Sequence, residues 1–341
     1  MKPEGRKLSI LKVIIDDYIQ TGQPVGSRTV SKKPSIAVSS ATVRNEMADL
    51  EELGYLLQPH TSAGRIPSDI GYRLYVDLID ESFKIGKTEQ DLIKTILYVK
   101  SCEVEDIVKQ ALKIITQMTR LPTVVSLPLF KKSYLQNMKL IKVNDNRVLL
   151  ILVSDTGVVK NISLPILEAD QDALDAIAGA LLDKFRNTTI GEISVKEINK
   201  LRTELKDHSR IIEYLIPILR DSLKEIREVE LYVDGINHIF EINEFSELSR
   251  ARQFLDLISN ENLLYEALNE AKDGMTVCIG RENKLPQLHS LSLIAAPYKF
   301  NGLNDGRIGV IGPTRMEYDR VISTVRFAAD TLSSLFSGID L

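Results

Sequence analysis

The chain has 341 residues, enough for two or three domains that each bury a core, and its 44% hydrophobic and 26% charged content is that of an ordinary globular protein. A net charge of −4 does not advertise a nucleic-acid binder. The longest wholly apolar run, Val148–Val153, is strand-sized and too short to span a membrane, and MKPEGRKLSI has neither the apolar core nor the cleavage site of a signal peptide, so a cytoplasmic location is expected.

Leu8, Leu11, Ile14, Ile15, Tyr18 and Ile19 recur at helical spacing, which predicts a first helix stopping at Thr21 and Gly22. Ser27 is placed to cap a short second helix running to about Lys33, which Pro34 ends. Ser39 then caps a third helix from about Ser40 to Leu53, closed by Gly54 in a left-handed conformation. Tyr55, Leu56 and Leu57 read as a short strand, with a turn-rich segment behind them, and Ile66 begins a return strand. Ser68 or Asp69 starts another helix, so residues 1–86 read as a three-helix core followed by a β-hairpin wing.

Beyond Gly86, the apolar spacing over 89–119 predicts one or two helices. Runs at 123–129, 138–143, 148–154 and 158–164, separated by turn formers, predict an antiparallel sheet. Helices at about 170–186, 195–206 and 209–228 follow, then a hairpin at 230–243 around Asp234 and Gly235, and a helix near 246–271. Strands return at 275–281, 289–296 and 307–311, and Thr314 with Glu317 forms a capping box for a last helix to about Ser334. Strands, a helical excursion and strands again are expected when a second module is inserted into an α+β domain.

The most specific chemistry lies between Gly26 and Asp69. On the third helix Val43, Met47, Leu50 and Leu53 share one face, while Ala41, Asn45, Ala48 and Glu52 share the opposite one, flanked by Thr42 and Arg44. Small residues beside long polar ones let a helix lie close to base edges. Arginine can pair with guanine and asparagine with adenine, and alanine or threonine methyls can meet the thymine methyl. Residues 1–80 hold ten Lys or Arg and ten Asp or Glu, a zero sum that hides a sharp division. Arg28, Lys32, Lys33 and Arg44 stand in 22–45 without an acid, and Glu46, Asp49, Glu51 and Glu52 follow at once. The acids would repel phosphate, so the N-terminal half of the helix should enter the groove. Ser40, Thr42, Arg44 and Asn45 are thus the candidate contacts on this helix, and Ser27, Arg28, Lys32 and Lys33 suit backbone phosphates. His60, Thr61, Ser62 and Arg65 on the wing suit the flanking backbone or a minor groove. The same pattern also fits a solvated amphipathic helix beside an ordinary hairpin, or a winged-helix fold used for protein contacts.

GQPVGSRTV and VSSATVRNEMADLEELGYLLQPHTSAGRIPSDIGYRLYVD, together with GRIGVIGPTRMEYDRVISTVRFAADTLS near the end, resemble the HrcA heat-inducible transcription repressors. The likeness spans essentially the whole chain and is looser over about 88–270; Ser40 departs from the proline usual there, at a position that tolerates either. The resemblance implies an α+β multidomain protein. A winged helix-turn-helix would occupy 1–86, a GAF-like α/β domain 87–187 and 244–341, and a mostly helical dimerisation module 188–243. It also implies a homodimer that binds double-stranded DNA at an inverted-repeat operator (CIRCE) of chaperone operons. A GroEL-type chaperonin would support its activity, and heating would end repression.

Rival chemistry is thin. Gly306, Gly309 and Gly312 lack both the GxGxxG and the GK[ST] spacing of phosphate loops. Cys102 and Cys278 read as free buried thiols, and the four histidines never stand at i,i+4, so neither metal nor cofactor is expected. Acids without a partnering nucleophile or base give catalysis no cast. The alternative kept open is a winged-helix regulator whose GAF-like domain senses a small ligand.

Overall fold

The computed structural model describes residues 3, 5–60, 63–79, 85–99, 104–127, 134–155, 159–165, 170–186, 230–269, 274–300 and 303–337, with isolated positions at 188, 189, 193 and 217. The expected helices at 195–206 and 209–228 lie outside them, apart from Pro217.

The N-terminal module consists of α1 (Arg6–Thr21), α2 (Ser27–Ser31) and α3 (Ser40–Glu52), then β1 (Leu56–Leu57), β2 (Ile66–Pro67) and α4 (Asp69–Asp77). Ile10, Leu11, Ile14 and Ile15 of α1 pack with Val30, Val43, Met47, Leu50 and Leu56 in one apolar cluster. β1 and β2 pair antiparallel, Leu56 opposite Pro67. Ser39 caps α3 as expected, accepting the Thr42 N–H, and Gly54 takes φ 81 beyond its end. Ser27 does not cap α2. Gly26 occupies that position without a side-chain hydrogen bond, and Ser27 opens the helix proper.

α5 (Lys87–Val99) and α6 (Val104–Thr119) lead to β3 (Thr123–Ser126). β3 does not join the strands that follow it. β4 (Leu135–Asn144), β5 (Arg147–Ser154) and β6 (Val159–Leu164) form their own antiparallel three-stranded sheet, with α7 (Gln171–Phe185) against β4. β3 instead lies between β7 (Leu231–Asp234) and β10 (Leu303–Pro313) in a five-stranded antiparallel sheet of order β7-β3-β10-β9-β8, with β8 at Thr276–Ile279 and β9 at Leu291–Phe300. The expected single sheet is therefore two. Leu231–Asp234, expected within the inserted module, is an edge strand of the five-stranded sheet. The hairpin expected at Asp234 and Gly235 is absent: β7 pairs with β3, and a 3-10 helix, Ile236–Glu241, follows.

Period-two alternation gives the five-stranded sheet two buried faces. Val125, Ile294, Tyr298, Ile308 and Val310 pack toward α6 and α10 (Tyr318–Phe336). Val124, Leu293, Ala295 and Ile311 pack with residues of α8 (Leu248–Ile258) and α9 (Glu261–Asn269), two helices where one was expected. The capping box at Thr314 and Glu317 does not form; Glu317 precedes α10 without a side-chain hydrogen bond, and the Thr314 carbonyl accepts the Tyr318 hydroxyl. Gly306, Gly309 and Gly312 stand inside β10 rather than on a loop.

The N-terminal module docks on the sheet domain through a continuous apolar cluster, in which the Tyr72 and Tyr318 rings stand 5.7 Å apart, and through polar contacts beside it. Arg73 Nε donates to Glu282 Oε1 at 2.7 Å, and its Nη2 reaches both Glu282 and the Val277 carbonyl. The Arg281 N–H donates to Asp69 at 3.2 Å. Arg315 pairs with Glu244 and donates to the Ile19 carbonyl at 2.7 Å.

Candidate nucleic-acid interface

The wing is held to the approach of α2 by the backbone. Val25 and Arg65 exchange two N–H···O bonds of 2.9 Å. This closeness requires glycine at position 64, where a Cβ would lie 2.4 Å from the Val25 carbonyl oxygen. α2, α3 and the hairpin thereby form one rigid arrangement, with α2 packed on α3.

Arg44 and Asn45 are exposed on the N-terminal half of α3, and Arg28 and Lys32 are exposed on and just beyond α2. Among the described residues none of the three cations has a carboxylate partner. Ser27 and Ser40 are half-buried at the starts of their helices, and His60 is exposed. Thr61 and Ser62 lie outside the described residues.

Three predicted residues are committed elsewhere. Lys33 Nζ sits 2.7 Å from Asp17 of α1. The Arg65 guanidinium, only 19% exposed, donates to Glu51 at 2.8 Å. The Thr42 hydroxyl stays at the cap, 3.0 Å from Ser39 Oγ. Among the described residues Arg28, Lys32 and Arg44 thus stay exposed without a carboxylate partner and Asn45 stays exposed on α3, while Lys33, Thr42 and Arg65 are paired within the module.

The acids on α3 also differ from their sequence reading. Glu46 is buried among the apolar residues of α3, where Arg6 Nε donates to it at 2.9 Å and Lys7 Nζ approaches at 3.1 Å. The Arg6 hydrogen bond holds the Glu46 carboxyl below its ordinary pKa, despite burial acting the other way. Lys7 also reaches Asp49 at 2.9 Å, and its ammonium is held above its ordinary value by Asp49 first and Glu46 second. With Glu51 on Arg65, three of the four acids that would repel phosphate are neutralised within the module. Arg6 and Lys7 were missed by sequence reasoning because some 40 positions separate Arg6 from its partner. Their adjacency follows only from helix packing.

Among the described residues no group of three His, Cys, Asp or Glu side chains could hold a metal, and no helix is long and apolar enough to cross a membrane.

Comparison with known proteins places this arrangement. The family described as HrcA protein C terminal domain matches residues 105–322. The heat-inducible transcription repressor HrcA of Clostridium acetobutylicum is 40% identical over 336 residues, covering 98% of either chain. The protein of the same name from Caldanaerobacter subterraneus subsp. tengcongensis is 40% identical over 340 residues, 99% of this chain and 98% of its own. A crystal structure of a hypothetical protein at 2.2 Å resolution shares the fold, with a TM-score of 0.72 over 99% of both chains at 24% identity. Matched from end to end by such relatives, the chain belongs to the HrcA family of heat-inducible transcription repressors.

Proposed function

We propose that this protein represses transcription of heat-shock genes by binding an inverted-repeat (CIRCE) operator as a homodimer. The N-terminal module acts as a winged helix-turn-helix, with the first half of α3 in the major groove and Arg28 and Lys32 on the phosphates. The observation that carries the reading is the exposed, carboxylate-free set Arg28, Lys32, Arg44 and Asn45, beside acids that Arg6, Lys7 and Arg65 neutralise. His60, Thr61 and Ser62 remain the wing's candidate contacts, Ser27 and Ser40 offer hydroxyls at helix starts, and Arg65 braces the wing.

In this reading the five-stranded sheet with α5, α6, α8, α9 and α10 is the GAF-like domain. The inserted dimerisation module, expected at 188–243, in this reading runs between β3 and β7 and so leaves out 231–243, because those two strands pair directly. Dimerisation compensates for the modest charge of each module, since two readers on one rigid body share a palindrome. Heating depopulates the folded dimer and occupancy falls by mass action. A GroEL-type chaperonin raises the active fraction by rescuing chains that misfold.

The test is a gel-shift titration of the full chain against an inverted-repeat duplex and a scrambled duplex of equal length. The repeat is expected to bind at least about 1,000-fold tighter at physiological salt. Equal affinity for both sinks the operator reading.

A further inference from the structure

Three of the four acids on α3 have cations beside them, and the fourth does not. Glu52 is the last residue of the helix and is exposed. Among the described residues neither a cation nor a hydrogen-bond donor reaches its carboxylate. An acid there is unfavourable for the helix, because the carbonyls of the last turn carry partial negative charge. That turn holds no basic residue to offset it. Glu51, one position earlier, is offset by Arg65 of the wing. Glu52 thus breaks a local rule with nothing in the described module to compensate, and such exceptions concentrate at functional sites.

The helix sets where the side chain lies. Seven residues after Asn45, Glu52 stands about 20° from it around the axis and about 10 Å further along. Ala41, Asn45, Ala48 and Glu52 form one stripe, and all four are exposed. With the first half of α3 leading and only Ala48 between, Glu52 reaches the far side of a major groove about 12 Å wide. Cytosine N4 and adenine N6 are the amino donors in that groove, whereas guanine and thymine present acceptors. A carboxylate accepts from the donors and is repelled by the acceptors and by every phosphate. Arg28, Lys32 and Arg44 attract any duplex, so an opposite charge beside them weakens binding to the wrong sequence more than to the right one.

Building on the major-groove docking of α3 proposed above, we infer that Glu52 is a specificity-determining residue. Its carboxylate accepts a hydrogen bond from the amino group of one cytosine or adenine in each half-site. It penalises DNA that presents an acceptor or a phosphate at that place.

The experiment is gel-shift titration of the full chain and of Glu52→Gln against the inverted repeat, the scrambled duplex and repeats substituted one position at a time in both arms. Glutamine keeps the shape and an acceptor oxygen and loses the charge. Having no partner to lose among the described residues, the variant keeps the fold. It is expected to bind the scrambled duplex about tenfold tighter and the repeat no tighter, so the ratio between them falls about tenfold. In the parent, one half-site position that requires cytosine or adenine should lose at least about tenfold on substitution, and in the variant less than about threefold. A gain shared equally by repeat and scrambled duplex would overturn the assignment, because Glu52 would then act only as a surface charge. A substitution profile identical in the two proteins would overturn it as well, with the operator reading left standing. A parent that binds both duplexes equally would overturn the operator reading and the role of Glu52 with it.

Discussion

Arg44 and Arg65 carry the same guanidinium and differ in what surrounds it. Arg44 is exposed on α3 with no carboxylate partner among the described residues, whereas Arg65 is fastened to Glu51. Arg44→Ala is therefore expected to lose about 1–3 kcal/mol of operator affinity, with the loss concentrated on the inverted repeat rather than the scrambled duplex. Arg65→Ala should lower both affinities together by loosening the wing. Equal, small effects of the two substitutions in folded protein would remove Arg44 from the interface. At this scale the sequence was legible where the chemistry is local. The acid-free run from 22 to 45 and the amphipathic face of α3 could both be read by counting. The fates of Lys33 and Arg65 could not, because their partners Asp17 and Glu51 are reached through tertiary packing.

At the scale of elements, the N-terminal end of α1 and the middle of α3 are joined by an ion cluster centred on Glu46. The folded-state pKa of Glu46 lies below the ordinary 4.5, so its contribution is fully present above about 4.5 and is lost as pH falls through the lower folded value. Glu46→Gln should destabilise the folded chain by about 1–2 kcal/mol at pH 7, a figure held down by the solvent exposure of Arg6. The gap between the variant and the parent, read as the urea midpoint, should shrink as the pH is lowered below 4. A gap unchanged across that range would mean that the cluster contributes nothing through charge. Helix ends were only partly readable. Ser39 and Ser68 cap as their positions suggest, since each is followed by a helix whose first N–H groups need an acceptor. Ser27 and Thr314 have the same chemistry and do not cap, because the backbone enters those helices one and three residues away from where the motif assumes.

At the scale of the whole molecule, strand positions were readable and strand partners were not. Short apolar runs mark β3 and β7 as strands, but nothing local says that residues some 110 positions apart in sequence should pair. In the proposed reading that single pairing bounds the inserted part. The docking of the two modules is likewise a long-range fact, resting on the apolar cluster they share, on Arg73 with Glu282 and on Arg315 with Glu244 and Ile19. Arg73→Ala is expected to cost roughly 1 kcal/mol of docking, since the pair is about one-third exposed. Amide exchange in α4 and β8 should then quicken about fivefold, while the amides of α1 to α3 keep their protection. Uniform acceleration throughout would mean that the contact supports the fold rather than the docking.

The bond from Arg315 to the Ile19 carbonyl spans 296 positions of sequence. At 5–20 residues per second, a ribosome needs roughly 15–60 s to reach Arg315 after Ile19 has been made. A small, largely helical module can fold in far less time than that. For most of its synthesis, then, the nascent chain presents a finished helix-and-hairpin module on a tether, with the surface that will clasp it not yet translated. The clasp closes only once Arg315 has been made, so a translation product cut short before it would carry Arg28, Lys32, Arg44 and Asn45 on a module with no fixed orientation toward the sheet domain.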